Sequence, residues 1–248
     1  MSVEYVEFKN NEGLTIRGFL NKPENFNGTI VVYYHGFTGN KTEHGRIFKT
    51  FSEIIAREGF ASLRMDFSGN GESDGSFNQM TFKTILSEAK QMLDYVRSIN
   101  GVKKTIVLGF SMGGAVASQI TKNYPDLIDA VLLWSPAGNI SEIIMRAYEN
   151  STKLPNGDAD YAGWVISKEL VTTAKSIDFY EGLTVFNKPC LVIHGSADLS
   201  VHYSWGEKYA NSYPRGRFIL IDKAPHGYNS VAFREKLFFE SLEFLKTI

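Results

Sequence analysis

Apolar runs of strand length alternate with stretches of helical period along most of the chain, and this alternation limits the fold more than any other feature. The runs TIVVYY (29–34), FASLRMDF (60–67), KTIVLGF (104–110), IDAVLLWSP (128–136), KPCLVIHG (188–195) and RFILID (217–222) read as buried strands. Between them lie segments with helical spacing of apolar residues. Ile47, Phe48, Phe51, Ile54 and Ile55 fall within 42–59, and Gly59 supplies a stop. Phe82, Ile85, Leu86, Ala89, Leu93 and Val96 form one face of a second helix ending near Asn100–Gly101. MGGAVASQITKNY (112–124), SWGEKYANSY (204–213) and FREKLFFESLEFL (233–245) are further helices. Strands alternating with helices require an α/β fold, with a mostly parallel sheet covered by helices on both faces. At the start, VEYVEFK (3–9) and LTIRGFL (14–20) alternate apolar and polar residues around the turn NNEG, which predicts an antiparallel beginning. The total is about eight strands.

The rhythm breaks once, between Pro136 and Pro189. That stretch is too long for a simple crossover and is rich in Tyr, Trp and Phe. Residues 139–187 read as a cap inserted before the next-to-last strand, with structural padding as the alternative. The 248 residues otherwise read as a single domain, 1–248, with no internal repeat.

Composition removes several functions. A hydrophobic content of 43% supports a sizeable core, and a net charge of −1 without a basic cluster argues against nucleic acid as a partner. No apolar run reaches the ~18 residues of a membrane span. The N-terminal MSVEYVEFKNNEG has acidic residues and no apolar core of a signal peptide, so the expected location is cytoplasmic. The single cysteine, Cys190, lies in an apolar run and reads as a buried, inert thiol. The oligomeric state is left open, a homodimer included.

One strand-to-helix junction carries chemistry. Gly109-Phe110-Ser111-Met112-Gly113 fits G-x-S-x-G, with a buried strand entering and a helix leaving. The glycines allow a tight turn that holds Ser111 strained, with its hydroxyl exposed at the carboxyl edge of the sheet. The alternative is a glycine-rich turn with a helix-capping serine. A serine nucleophile needs a base and a group to orient it. Of the five histidines, His226 in IDKAPHGYN fits the order serine, acid, histidine and lies on a loop beyond the last strand. His194 ends a buried strand and reads as a supporting residue; His202 begins a helix and lacks a matching acid. Asp198, on the loop after the next-to-last strand, is the preferred acid, and Asp222 is its competitor. Asp66 reads as organising the glycine-rich loop that follows it. An oxyanion formed at Ser111 needs N–H donors. Met112 N–H, at a helix start, supplies one, and Phe37 N–H in YYHGFTGNK supplies the second.

Taken together, HGFTG, DFSGNGESDG, GFSMGG, HGSAD and APHG resemble the α/β-hydrolase family, in the family's order and over nearly the whole chain. HGFTGNK with RMDFSGNGESDG looks most like the bacterial cinnamoyl (feruloyl) esterases, which release hydroxycinnamic acids such as ferulic acid from plant cell-wall esters. The resemblance implies Ser111 as nucleophile, Asp198 as acid, His226 as base, and Phe37 and Met112 as oxyanion donors. It also implies a cap that shapes an aromatic-acid pocket. Trp164 and Tyr161 in DADYAGW are the candidate substrate-facing residues, with the cap's own core as the alternative role for Trp164. The expected activity is hydrolysis of a small-molecule hydroxycinnamoyl ester through an acyl-enzyme, with neither metal nor cofactor. The rivals are a lipase, a monoacylglycerol hydrolase or an acyl-peptide hydrolase with the same machinery, and a non-catalytic receptor on the same fold.

Overall fold

A computed structural model describes residues 2–248. Eight strands form one sheet: β1 (Ser2–Lys9), β2 (Thr15–Lys22), β3 (Thr29–Tyr34), β4 (Ala61–Met65), β5 (Lys104–Phe110), β6 (Ala130–Trp134), β10 (Cys190–Gly195) and β11 (Gly216–Ile221). Three short strands, β7 (Thr152–Lys153), β8 (Ala159–Tyr161) and β9 (Trp164–Ile166), form a separate antiparallel sheet. The helices are α1 (Ile47–Arg57), α2 (Phe82–Arg97), α3 (Met112–Asn123), α4 (Ile140–Glu149), α5 (Lys168–Lys175), α6 (Tyr203–Ser212) and α7 (Val231–Lys246).

The order across the large sheet is β1-β2-β4-β3-β5-β6-β10-β11. β1 and β2 pair antiparallel, as does β2 with β4; every pairing from β4 to β11 is parallel. This is the α/β-hydrolase fold expected from the sequence. The central strands are buried on both faces because alternate residues feed two cores. In β3, Ile30, Val32 and Tyr34 face the α2–α3 side, and Val31 and Tyr33 face α1 and α7. In β6, Val131 and Leu133 face the first core, and Leu132 and Trp134 the second.

The chain crosses from β3 to β4 on one side and returns to β5 on the other, so the order reverses between β3 and β5. Open α/β sheets bind ligands at such a reversal, outside the carboxyl ends of the strands. The register pairs Tyr34 with Gly109, which brings the segment after Tyr34 beside Ser111.

One helix differs from the sequence expectation. The periodic stretch from Thr42 reads as helix, but α1 begins only at Ile47. His44–Arg46 form a distorted 3-10 turn in which Gly45 and Arg46, like Glu43 just before it, have φ near +60°. The Glu43 side chain is turned back toward Gly36 rather than along a helix surface. Between β6 and β10, the aromatic-rich stretch folds into α4, the three-stranded sheet, α5 and a 3-10 turn at Leu183–Val185.

Candidate active site

Ser111 joins β5 to α3 with φ 54° and ψ −118°, a conformation unfavourable for a residue with a Cβ. Its neighbours hold it there. Ser111 N–H donates to Trp134 O at 3.0 Å, and Ser111 O accepts from Ala137 N–H at 3.0 Å and Gly114 N–H at 2.9 Å. Gly109 and Gly113 are required for close approach: a Cβ on Gly109 would strike the Gly113 backbone, and one on Gly113 would strike Tyr34 O. Met112, first residue of α3, has no intrahelical acceptor for its N–H.

Asp198 sits on the loop after β10, and its two oxygens are shared among four donors. Oδ1 accepts Ser200 N–H at 2.9 Å and Val201 N–H at 2.8 Å. Oδ2 lies 2.6 Å from His226 Nδ1 and 3.1 Å from His194 Nε2. Burial raises the Asp198 carboxyl, but the bonds from His194 and His226 outweigh it and hold the group well below the usual carboxylate range. An ionised Asp198 fixes the His226 proton on Nδ1 and leaves Nε2 as the free basic nitrogen. His226 Nε2 and Ser111 Oγ make no hydrogen bond among the described residues. The His226 ring lies 5.0 Å from that of Phe110, the residue before Ser111. Hydrogen bonds between a base and a nucleophile often tighten only when substrate binds. Asp222, the competing acid, is exposed and accepts from Ser196 Oγ at 3.2 Å, while the hydrogen bond of His226 Nδ1 goes to Asp198. His194 is fully buried, and its Nε2 also faces Val201 O at 3.0 Å, so it pins the acid loop.

The loop after β3 is tied from several directions. His35 is fully buried; its Nε2 accepts Phe67 N–H at 3.0 Å, so its Nδ1 carries the proton and donates to Gly36 O at 2.9 Å. Gly39 N–H donates to the same oxygen at 3.0 Å. Further along, Asp66 accepts Lys41 N–H and Lys41 Nζ, both at 2.6 Å, and Glu72 N–H at 2.9 Å. The buried Asp66 therefore links the two glycine-rich loops, a wider role than its sequence position suggests.

Aromatic rings cluster beside the β3 loop. Phe37 is 5.5 Å from Phe77 and 6.3 Å from Tyr161, and Phe77 is 4.7 Å from Trp164. Trp164 is half-buried and Tyr161 is exposed. Phe77 is buried, and sequence reasoning did not single it out; its position just after the glycine-rich loop was the available signal. A groove of about 570 Å³ opens between α4, the turn at Tyr161–Ala162 and Ser200. Among the described residues, no three His, Cys, Asp or Glu side chains are grouped to hold a metal, and no helix is long and apolar enough to cross a membrane.

The model of the serine aminopeptidase S33 family (Hydrolase_4) matches residues 27–168, which includes the β3 loop and the Ser111 turn. The chain belongs to the serine aminopeptidase S33 family. Among solved structures, this family member is similar to Est1E from Butyrivibrio proteoclasticus with ferulic acid bound, at 26% identity and a TM-score of 0.86 over 98% of each chain. It is 24% identical to "Putative esterase/lipase 2" of Mycoplasma genitalium, over 88% of this chain and 90% of that protein. It is also 22% identical to human "Protein ABHD12B" over 72% of this chain. The match spans about half of that human protein's length, 48%.

Proposed function

We propose that the protein is a serine carboxylesterase acting on hydroxycinnamate (feruloyl-type) esters. What supports the reaction class is the 2.6 Å pairing of Asp198 with His226, together with a serine held at positive φ in the G-x-S-x-G turn. In this reading His226 Nε2 takes the Ser111 proton as Oγ attacks the ester carbonyl. The oxyanion is met by Phe37 and Met112 N–H. The tetrahedral adduct collapses, and protonated His226 gives its proton to the departing alkoxide. His226 then deprotonates water, which attacks the acyl-enzyme; the second adduct collapses with cleavage of the C–Oγ bond, protonated His226 returns its proton to Ser111 Oγ, and the acid is released. Asp198 keeps His226 in the reactive tautomer and stabilises its charged form.

The substrate class rests on the rings of Phe37, Phe77, Trp164 and Tyr161, which suit a flat aromatic acyl group, and on the likeness to ferulate-bound Est1E. Residues 139–187 act as the cap that brings this acyl group to Ser111. The family's description favours a second reading, in which the acyl group is a peptide's N-terminal residue and the leaving group an amine.

A panel of methyl ferulate, a monoacylglycerol and an aminoacyl amide, run on the parent and on Ser111→Ala, tests both readings. The expected result is fastest turnover of methyl ferulate, lowered about 10⁴-fold or more in the variant. Preference for the amide would favour the second reading. Undiminished ester turnover in Ser111→Ala would remove Ser111 as nucleophile. If the parent is neither labelled by a fluorophosphonate nor active, the receptor alternative holds.

A further inference from the structure

Gly36 lies between two peptide units that must both hold still if the next N–H is to face an oxyanion. Glycine is the residue least able to ensure this, since both φ signs are open to it. The second of its peptides, joining Gly36 to Phe37, is fixed through its carbonyl, which accepts Gly39 N–H and His35 Nδ1–H. In a planar trans peptide the C=O and N–H point in opposite directions. Tying Gly36 O back therefore turns Phe37 N–H the other way, and it has no partner among the described residues.

The first peptide, joining His35 to Gly36, is held by Glu43. Gly36 N–H donates to Glu43 Oε1 at 2.5 Å. Three features of the surroundings are arranged around that carboxylate. Glu43 has φ 60° and ψ 167°, strained for a side-chain-bearing residue, at the point where the expected first turn of α1 is lost. A Cβ on Gly39 would collide with Glu43 Oε1 and stand 3.0 Å from Cδ, so the glycine leaves room for the acid. A Cβ on Gly36 would stand 3.3 Å from Glu43 Oε1 and 3.4 Å from Ser111 Cβ, which places the carboxylate one residue's width from the serine.

We propose that Glu43 is a positioning residue of the oxyanion hole: its carboxylate oxygen clamps Gly36 N–H so that Phe37 N–H is preorganised toward the tetrahedral intermediate on Ser111. The inference rests on the esterase reading above. Burial raises the Glu43 carboxyl, while His35, the Gly36 N–H and His226 act against that. The role proposed for it is hydrogen-bond acceptance, and its charge is tested separately.

Two variants separate these properties. Glu43→Gln keeps an acceptor oxygen at the same reach and removes the charge. Glu43→Asp keeps the charge and withdraws the oxygen by one methylene. Steady-state kinetics on the ester the parent turns over should show kcat in Glu43→Gln lowered by no more than about threefold. In Glu43→Asp kcat should fall by about tenfold or more with KM within twofold, a part of the 10²–10³ seen when an oxyanion donor is removed outright. A boronic acid, which forms a tetrahedral adduct with serine, should bind Glu43→Asp about tenfold more weakly, while binding of the planar product acid is unchanged. A fold defect would move both ligands together, and thermal melting monitors it. Equal loss in the two variants, or a greater loss in Glu43→Gln, would overturn the proposal. Failure of the esterase reading is a separate result, since the parent would then show no turnover at all.

Discussion

His194 and His226 share a single oxygen, Oδ2 of Asp198, at 3.1 and 2.6 Å. One imidazole is fully buried and holds the acid; the other is partly open and is held by it. Asp198→Asn is expected to leave the loop geometry largely in place but present an amide to His226. Ester kcat should drop by about 10⁴-fold, by analogy with the same change in other triads. Asp222→Asn should stay within twofold. Equal activity of the two variants in a p-nitrophenyl ester assay would contradict the assignment.

The same carboxyl makes a pH prediction. Its folded-state pKa is depressed, so its stabilising contribution is complete above the unfolded value of about 4 and is lost as pH falls toward the folded value. In urea titrations the stability gap between parent and Asp198→Asn should be constant above about pH 5 and shrink below about pH 4. A gap that widens on acidification would reverse the sign of the linkage.

The backbone strain at Ser111 predicts a trade of stability for activity. Ser111→Gly removes the Cβ from a φ of 54° and should raise stability by about 1 kcal/mol while abolishing turnover. A calorimetric rise in Tm of about 2–4 °C is expected for a chain of this size. A lowered Tm would mean that the turn is not strained.

Lys41 and Asp66 form a buried ion pair behind the β3 loop, with Lys41 reaching also to the exposed Glu72 at 2.8 Å. Asp66→Ala leaves the Lys41 ammonium with Glu72 alone and takes the acceptor from the Lys41 and Glu72 backbone N–H groups, and should cost about 3 kcal/mol in urea unfolding. Lys41→Met, which removes the charge and keeps the stem, leaves the Asp66 carboxylate with its two backbone N–H donors and should cost less. The reverse ranking would show that the lysine carries the network.

Trp164→Ala tests the aromatic wall. Its ring is 4.7 Å from Phe77, and Phe77 in turn meets Phe37. A pocket role predicts about tenfold loss of kcat/KM on methyl ferulate with little change on a short aliphatic ester. Similar losses on both would assign Trp164 to the packing of its own segment.

The large sheet is legible in the sequence because its central strands are buried on both faces and so read as unbroken apolar runs such as Thr29–Tyr34 and Cys190–Gly195. The Ser111 turn is legible because glycines stand where the backbone permits no Cβ. Pattern could not supply the rest. The strands β7, β8 and β9 have two or three residues each, too few to show a period. The helical spacing near Thr42 is overridden because Glu43 bonds Gly36, a contact between segments that neither segment announces. The grip of His194 on Asp198 is likewise a tertiary contact, made when β10 and the loop after it fold back on one another.

The pairing of Tyr34 with Gly109 also has a consequence for where the chain can change length. Adding one residue within β3 would turn its side chains to the opposite face and move Phe37 out of step with Ser111. The strand pair thus works as a ruler that admits no change of length between Thr29 and Ser111 along the paired residues. Between Pro136 and Pro189 no pairing with the large sheet imposes such a count. Insertions, deletions and wholesale exchange belong there, and under the proposed esterase reading that stretch is the place to re-aim Ser111 at a different acyl group.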